Sequence, residues 1–347
     1  MAYTTINKLT DHFNTKLYNG TGSTQSITGV GFQPDWVWHK YRGGAGGHNL
    51  FDAVRGATKR LRSNSAGAEA TNADTLTSFD SDGFSLGVDA TGDGVNINGY
   101  NNVTWNWKAG NSSGSSNSNG SITSTVTANA TAGFSIVKYT GSGSGSATVG
   151  HGLGVKPKSL IIKSMTNSEN WGFWIDTTNN GTADKRLVLN GDAANYGNYF
   201  VSFQDNTFTL PSHNDGSWSG SGQNYIAYCF AEKTGYSKFG SYIGNGNADG
   251  TFVYTGFKPS WILIKNSTDS SNNWHIYDNK RLGYNVDNNM LRANLSNAEQ
   301  TDDDIDIISN GFKLRRNSGA FNTSHTYIYM AFGQSLVGSN NVPCTAR

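Results

Sequence analysis

Residues 155–163 read VKPKSLIIK, and the arrangement returns twice, as FQPDWVWHK at 32–40 and FKPSWILIK at 257–265. The chain holds only five prolines, and three of them, Pro34, Pro157 and Pro259, each stand six residues before a lysine: Lys40, Lys163 or Lys265. Upstream of each proline lies a Tyr-x-Gly-x-Gly, formed by Tyr18, Gly20 and Gly22, by Tyr139, Gly141 and Gly143, and by Tyr242, Gly244 and Gly246. Twelve or thirteen residues past each lysine comes an apolar residue followed by aspartate, in Phe51-Asp52, Ile175-Asp176 and Tyr277-Asp278. A basic pair and a leucine follow, namely Lys59-Arg60-Leu61, Lys185-Arg186-Leu187 and Lys280-Arg281-Leu282. Each copy ends in an aromatic run, at residues 103–107, 225–230 and 327–332. Self-similarity at this period marks one supersecondary unit used three times.

The chain has 347 residues, so each unit has roughly 100, near the size at which one core suffices. Hydrophobic residues make up 35% and charged residues 15%, while 43 glycines sit among many Asn, Ser and Thr. That balance fits short strands joined by polar turns. Aromatics, at 12%, supply the core area that the thin aliphatic content lacks. We therefore expect an all-β chain of three tandem antiparallel β-sandwich units, of the jelly-roll or concanavalin-like kind, with a short helix at most over residues 66–77.

The units are read as 16–109, 133–233 and 234–335, with a polar leader at 1–15 and a tail at 336–347. Between the first two, the linker 110–132 begins GNSSGSSNSNG, the composition of a flexible coil, and then over 121–132 alternates Thr or Ser with Ile122, Val126 and Ala128 in an extended-strand pattern. The near absence of a linker after residue 233 predicts tight contact between units 2 and 3 and a more independent unit 1. The net charge of +1 comes from scattered residues, which excludes the electrostatic footprint of a nucleic-acid binder. No apolar stretch reaches the roughly 20 residues of a membrane helix. Residues 1–14 lack the apolar core of a secretion signal, so folding is expected in a cytoplasm. Cys229 and Cys344 form no disulfide framework.

The stretches GFQPDWVWHK, FDAVRGATKRLRSNSAGAEATNADTLTSFDSDGFSLG, TAGFSIVKYTGSGSGSATVGHGLGVKPKSLIIK and NNVPCTAR resemble a domain family of tailed bacteriophages, especially of marine bacteria, found in tail-fibre-like and other virion appendage proteins. The resemblance covers nearly the whole chain and implies a virion-surface structural protein among other virion proteins, trimeric if it is a fibre. It carries no catalytic motif to transfer. The implied role is adhesion to a host-surface glycan; capsid decoration or tail attachment without a host ligand is the alternative, and a polysaccharide depolymerase the second.

Residues present in every copy read as scaffold: Asp52, Asp176 and Asp278 holding Arg60, Arg186 and Arg281, or capping turns. Aromatic or imidazole residues without a counterpart read as contact residues, because sugar rings stack on aromatic faces while polar neighbours satisfy hydroxyls. These are Tyr41, His48, Trp171, Tyr196 and Trp218; Trp274, in the same region as Trp171, fits a core position as well. A glycosidase needs a pair of carboxylates flanking a bond, and the four glutamates, Glu69, Glu169, Glu232 and Glu299, form no such motif. The chain is therefore read as a non-enzyme. The aspartates around Asp80, Asp82, Asp89, Asp93 and 302–304 have the oxygen chemistry calcium prefers but not its loop spacing, so they read as Asx-turns and no cofactor is expected. The seven histidines are isolated, without zinc-site spacing.

Overall fold

The computed structural model describes residues 3–337 except 184–185, 195–196, 198, 214, 283–284, 286–287 and 303. The fold is all-β, and its six antiparallel sheets fall into three pairs, one large and one small per unit. In each large sheet an opening strand (Phe13–Asn19, Phe134–Thr140, Ser237–Ile243) pairs with a closing strand (Asn101–Trp107, Asn224–Phe230, Thr326–Gln334). The closing strand pairs in turn with the proline-lysine strand (Trp36–Tyr41, Ser159–Ser164, Lys258–Asn266), which pairs with a fourth strand (His48–Asp52, Gly172–Ile175, His275–Asp278). The repeat seen in the sequence is thus a repeat of sheet order.

The Tyr-x-Gly-x-Gly motif has a local cause. A Cβ on Gly20, Gly141 or Gly244 would lie 2.1 to 2.4 Å from a backbone carbonyl oxygen, and Gly22, Gly143 and Gly246 have φ of +67° to +75°, open to glycine at no steric cost. Each motif tyrosine packs its ring on its unit's core, Tyr18 half-buried and the other two buried, and donates its hydroxyl to a carbonyl some 80 residues on: Tyr18 to Val95 (2.6 Å), Tyr139 to Trp218 (2.8 Å) and Tyr242 to Phe321 (2.7 Å).

Because side chains alternate across a strand, every large sheet has two buried faces. One packs on its own small sheet and forms a core private to the unit. The other face of all three large sheets points to a common centre, where Trp36, Trp105 and Trp107 of unit 1 meet Phe134, Tyr228 and Phe230 of unit 2 and Trp261, Met330 and Phe332 of unit 3. Trp36 stacks on Tyr228 at 4.4 Å between centroids, Trp107 meets Trp261 edge-on at 5.4 Å, and Phe13 stacks on Phe332 at 5.6 Å.

This shared centre corrects the expectation that unit 1 stands apart: its tryptophans belong to it as fully as the rings of units 2 and 3. The leader is likewise built in, with Ile6 and Leu9 buried in the same cluster and Leu9 N–H donating to Gln334 Oε1 (2.8 Å). The extended pattern of 121–132 forms the strand Ser124–Asn129, whose Val126 enters the core of unit 2 with Ile122, and the tract expected as flexible coil contributes a further strand, Ser115–Asn117, to the same large sheet. No helix forms over 66–77; the segment gives the strands Ala70–Thr71 and Leu76–Asp80 around a turn, and the short helical element is a 3-10 turn at Leu9–Asp11. Cys229 is a free buried thiol, and Cys344 lies outside the described residues.

A centre common to all units predicts one cooperative unfolding transition. Trp36→Ala should cost about 3–5 kcal/mol, as large-to-small changes of buried tryptophan do, and calorimetry should show the single transition moving down as a whole. A separate low-temperature transition for unit 1 alone would contradict the shared centre.

Candidate functional site

Asp278 ends its strand facing the centre. Its Oδ1 accepts the N–H groups of Lys280 (2.9 Å) and Arg281 (3.0 Å), and its Oδ2 accepts Arg281 Nε (2.6 Å) and, from unit 1, Trp105 Nε1 (2.9 Å). Arg281 continues to Glu299 (2.8 Å) and to the Ile276 carbonyl (3.0 Å), and Glu299 also receives Arg42 of unit 1 (2.7 Å). Unit 1 repeats the arm: Asp52 holds Arg55, Tyr228 of unit 2 donates its hydroxyl to Asp52 (2.8 Å), and Arg55 reaches Glu69 (3.2 Å) and the Leu50 carbonyl (2.9 Å). The arms are buried and fully bonded, as buried charges must be. The expected Asp278–Arg281 pair is present. The expected partner of Asp52 is corrected from Arg60 to Arg55, since the turn after the strand brings the residue three positions on beneath the carboxylate; Arg60 and Arg62 share Asp93.

Unit 2 departs from this plan by one residue. Opposite Trp36 and Trp261 on the proline-lysine strands stand Asp52 and Asp278, but opposite Ser159 stands Ile175. A one-residue shift turns a side chain to the other face, so Ile175 enters the shared centre and Asp176 leaves it. Asp176 instead caps a turn, accepting Thr178 N–H (3.0 Å), Thr178 Oγ1 (3.1 Å) and Gly181 N–H (2.9 Å). Arg186 lies over the rings of Trp218 (4.8 Å) and Tyr199 (5.8 Å). The neighbouring closing strand matches the change: at the register position of Trp105 and Tyr228 it carries Met330, which has no donor to offer.

Outside this altered arm, between units 2 and 3, lies a cleft of about 540 Å³ continuous with one of about 340 Å³ through Lys158, Asn179 and Glu232. Lys158 bonds Asn179, whose φ of 62° turns the loop, and Glu232 accepts Phe239 N–H (2.7 Å). On the unit 3 side, Phe252 and Tyr254 are 46% and 54% exposed on one face of the strand Phe252–Tyr254, with Lys238 Nζ 5.2 Å from the Tyr254 ring centre and Ile243 68% exposed nearby in sequence. Grouped exposed apolar side chains of this size mark contact surfaces. Lys156, Lys158, Lys233 and Lys238 outnumber Glu232 and Asp176 around the cleft.

The contact residues picked from sequence lie elsewhere. His48, Trp171 and Trp218 are fully buried, so their reading as exposed ligand-binding residues is corrected. His48 and Trp171 occupy one structural position with Trp274: the three backbone N–H groups donate to Asn64 (2.9 Å), Asn190 (2.8 Å) and Asn294 (3.0 Å). Trp171 Nε1 then donates across to the Arg62 carbonyl of unit 1 (2.9 Å) and Trp274 Nε1 to the Val188 carbonyl of unit 2 (2.9 Å), so these residues join units. Trp218 packs in the core of unit 2 against Trp174. Tyr41 stacks on Tyr100 at 3.8 Å and is backed by the Gly43-Gly44 turn, leaving no open ring face for a sugar. Tyr196 lies outside the described residues. The signal for the cleft is in the sequence, as Phe252 and Tyr254 have no aromatic counterparts at Ser26, Thr28, Thr148 or Gly150.

Among the described residues no three His, Cys, Asp or Glu side chains converge as a metal site requires. The aspartates considered for calcium bond locally: Asp82 accepts Gly29 and Gly31 N–H, and Asp89 accepts Asp93 and Asn96 N–H. Burial holds His39 down to about 4 and His275 to about 3, and lowers His48 well below the usual imidazole value. Burial also lowers Lys40, Lys163 and Lys265 to about 8; their ammonium groups sit among carbonyls, Lys40 on Tyr41 (2.7 Å) and Ser296 (3.2 Å) of unit 3, Lys265 on Asn266 (2.7 Å) and Asp192 (3.1 Å) of unit 2.

The chain belongs to a family described as a domain of unknown function (DUF7483), whose model matches residues 8–335 and so takes in all three units. No curated protein and no solved structure matches it.

Arg281→Ala should destabilise by about 3–5 kcal/mol, the cost of leaving buried carboxylates uncompensated, whereas Arg60→Ala should cost far less because Asp93 keeps Arg62; denaturant midpoints of the two variants check the order. In the unfolded chain the histidines take up protons near pH 6.5, while folded His39 and His275 do so only near 4 and 3. The unfolded state therefore binds more protons between these values, and stability should fall as pH drops below about 6.5. Asp35, raised to about 6 by burial, and Asp89, also raised by burial, oppose this, against five histidines lowered by burial, His12, His39, His48, His151 and His275. A melting temperature higher at pH 5 than at pH 7.5 would contradict the assignment.

Proposed function

We propose that this protein is a non-catalytic structural component of a tailed-phage particle that attaches by docking another protein in the cleft between units 2 and 3. The carrying observation is the cleft itself, where Phe252 and Tyr254 stay exposed on one face of a unit 3 strand. The phage setting is carried by the resemblance of the sequence to virion appendage domains. The non-catalytic reading is supported by how the glutamates are used. Glu69 and Glu299 serve the arginine arms, Glu169 accepts Ser217 Oγ (3.2 Å), and Glu232 accepts a backbone N–H. Glu232 shares its cleft with Asp176, but Glu232 accepts Phe239 N–H and Asp176 accepts the N–H groups of Thr178 and Gly181, so both are engaged in local bonds, unlike the acid–base pair that glycoside hydrolysis uses.

Protein attachment is favoured over glycan adhesion because the rings first assigned to sugar stacking are buried, covered or outside the described residues. Antibody labelling of intact particles should place the chain on the tail or capsid surface, and incubation with host-envelope polysaccharide should release no reducing ends. Particles devoid of the chain would overturn the virion reading, and sustained sugar release would overturn the non-catalytic one.

A further inference from the structure

Unit 2 shows what can lie along an opening strand. The outer edge of Phe134–Thr140 is paired antiparallel with Ser124–Asn129, in the register Ser124 to Tyr139, Val126 to Val137 and Asn129 to Phe134. The same segment reaches the small sheet, where Ile122 bridges Val149 and donates its N–H to Thr148 (3.0 Å). Ile122 and Val126 thereby close the side of the sandwich and join its core.

Unit 3 has the same two edges without the added strand. Ser237–Ile243 is the outermost strand of its large sheet and Phe252–Tyr254 of its small one. Phe239 N–H points away from the closing strand, since it donates to the Glu232 carboxylate, and Ser241, two residues on, presents its N–H to the same side and is exposed. The position matching Val137 is Gly240, whose missing side chain leaves the Tyr329 ring as the floor between the edges. Phe252 and Tyr254 form the lip. An edge with free backbone groups beside apolar pockets is the arrangement that accepts an added strand.

We propose that the cleft binds an extended strand of a partner protein, added antiparallel to Ser237–Ile243 as Ser124–Asn129 is added in unit 2. Its small aliphatic side chains enter over Gly240, its carbonyl replaces Glu232 at Phe239 N–H, and acidic flanking residues face Lys158 and Lys238. The inference rests on the reading of the cleft as a protein-docking surface.

The test uses the full chain and a fluorescein-labelled peptide of sequence SITSTVTAN, that of residues 121–129, followed by fluorescence polarisation. Saturable binding is expected, weakened roughly tenfold or more by N-methylation of alternate peptide amides, by Ser241→Pro and by Tyr254→Ser. Both variants alter exposed positions, and proline is tolerated on an edge strand, so their melting temperatures should match the parent. No saturable binding up to about 1 mM, the weakest affinity worth about 4 kcal/mol, would overturn the proposal, as would binding that neither N-methylation nor Ser241→Pro weakens. Displacement of the peptide by a panel of neutral and acidic oligosaccharides would also overturn it, in favour of a sugar site. Particle labelling is independent of these outcomes, so this inference and the virion reading fail separately.

Discussion

The structure depends on three β-sheets turning an aromatic face to one centre. Sheets are normally stabilised in pairs, each covering the other's apolar face. Here each large sheet also has a second apolar face that its own small sheet does not reach. Burying these faces requires all three units at once, because Trp36 needs Tyr228 and Phe13 needs Phe332. The dispersed glycines and polar turns add little burial, so the central rings carry much of the hydrophobic term, at roughly 150–250 Å² apiece. The family pattern, running from residue 8 to residue 335, spans all the units that share this centre.

An aromatic centre alone would not fix which sheet meets which, because stacking tolerates sliding. Directional bonds supply that choice, and those donated by tyrosine and tryptophan side chains run one way round the triplet. Tyr228 of unit 2 bonds Asp52 of unit 1, Trp105 of unit 1 bonds Asp278 of unit 3, Trp171 of unit 2 crosses to unit 1, and Trp274 of unit 3 crosses to unit 2. Buried polar groups that are satisfied only in one arrangement disfavour the others by leaving donors and carboxylates unpaired. The buried lysines follow the same direction, with Lys40 on a carbonyl of unit 3 and Lys265 on a carbonyl of unit 2.

Much of this was legible in the sequence because sheet order and motif order coincide. The prolines, the lysines, the glycine turns and the closing aromatics all mark real elements. Pairing across units was not legible, because alternation shows that a strand has two faces without showing what covers each. In unit 1 the closing run VTWNW sends Trp105 and Trp107 to the centre and Thr104 and Asn106 to the other side, where His39, Asn49 and Asn102 form a buried polar layer. Units 2 and 3 place Ala227 and Cys229, or Tyr329 and Ala331, in the same rows. Trp171 reads as a surface residue because its counterpart in unit 1 is a histidine, a substitution that keeps a ring nitrogen while erasing the chemical likeness. Asp176 reads as the equivalent of Asp52 because a one-residue offset is invisible until strand register is known.

The offset at Asp176 and the cleft beside it are connected. In units 1 and 3 the aspartate arm ties a closing strand to the turn of a neighbour through a charged hydrogen bond, which draws that turn inward. At the third junction Ile175 joins the apolar centre, Met330 Sδ accepts the Ser159 hydroxyl (3.9 Å), and Asp176 is taken up by the N–H groups of Thr178 and Gly181. The Asn179 loop of unit 2 and the outermost strand of unit 3 line a groove between them. The three junctions are therefore unequal. The one between units 3 and 1 holds a cleft of about 220 Å³ along Phe13, Asn14 and Thr15, and the one between units 2 and 3 holds the larger, where the proposed strand from outside would lie along Ser237–Ile243.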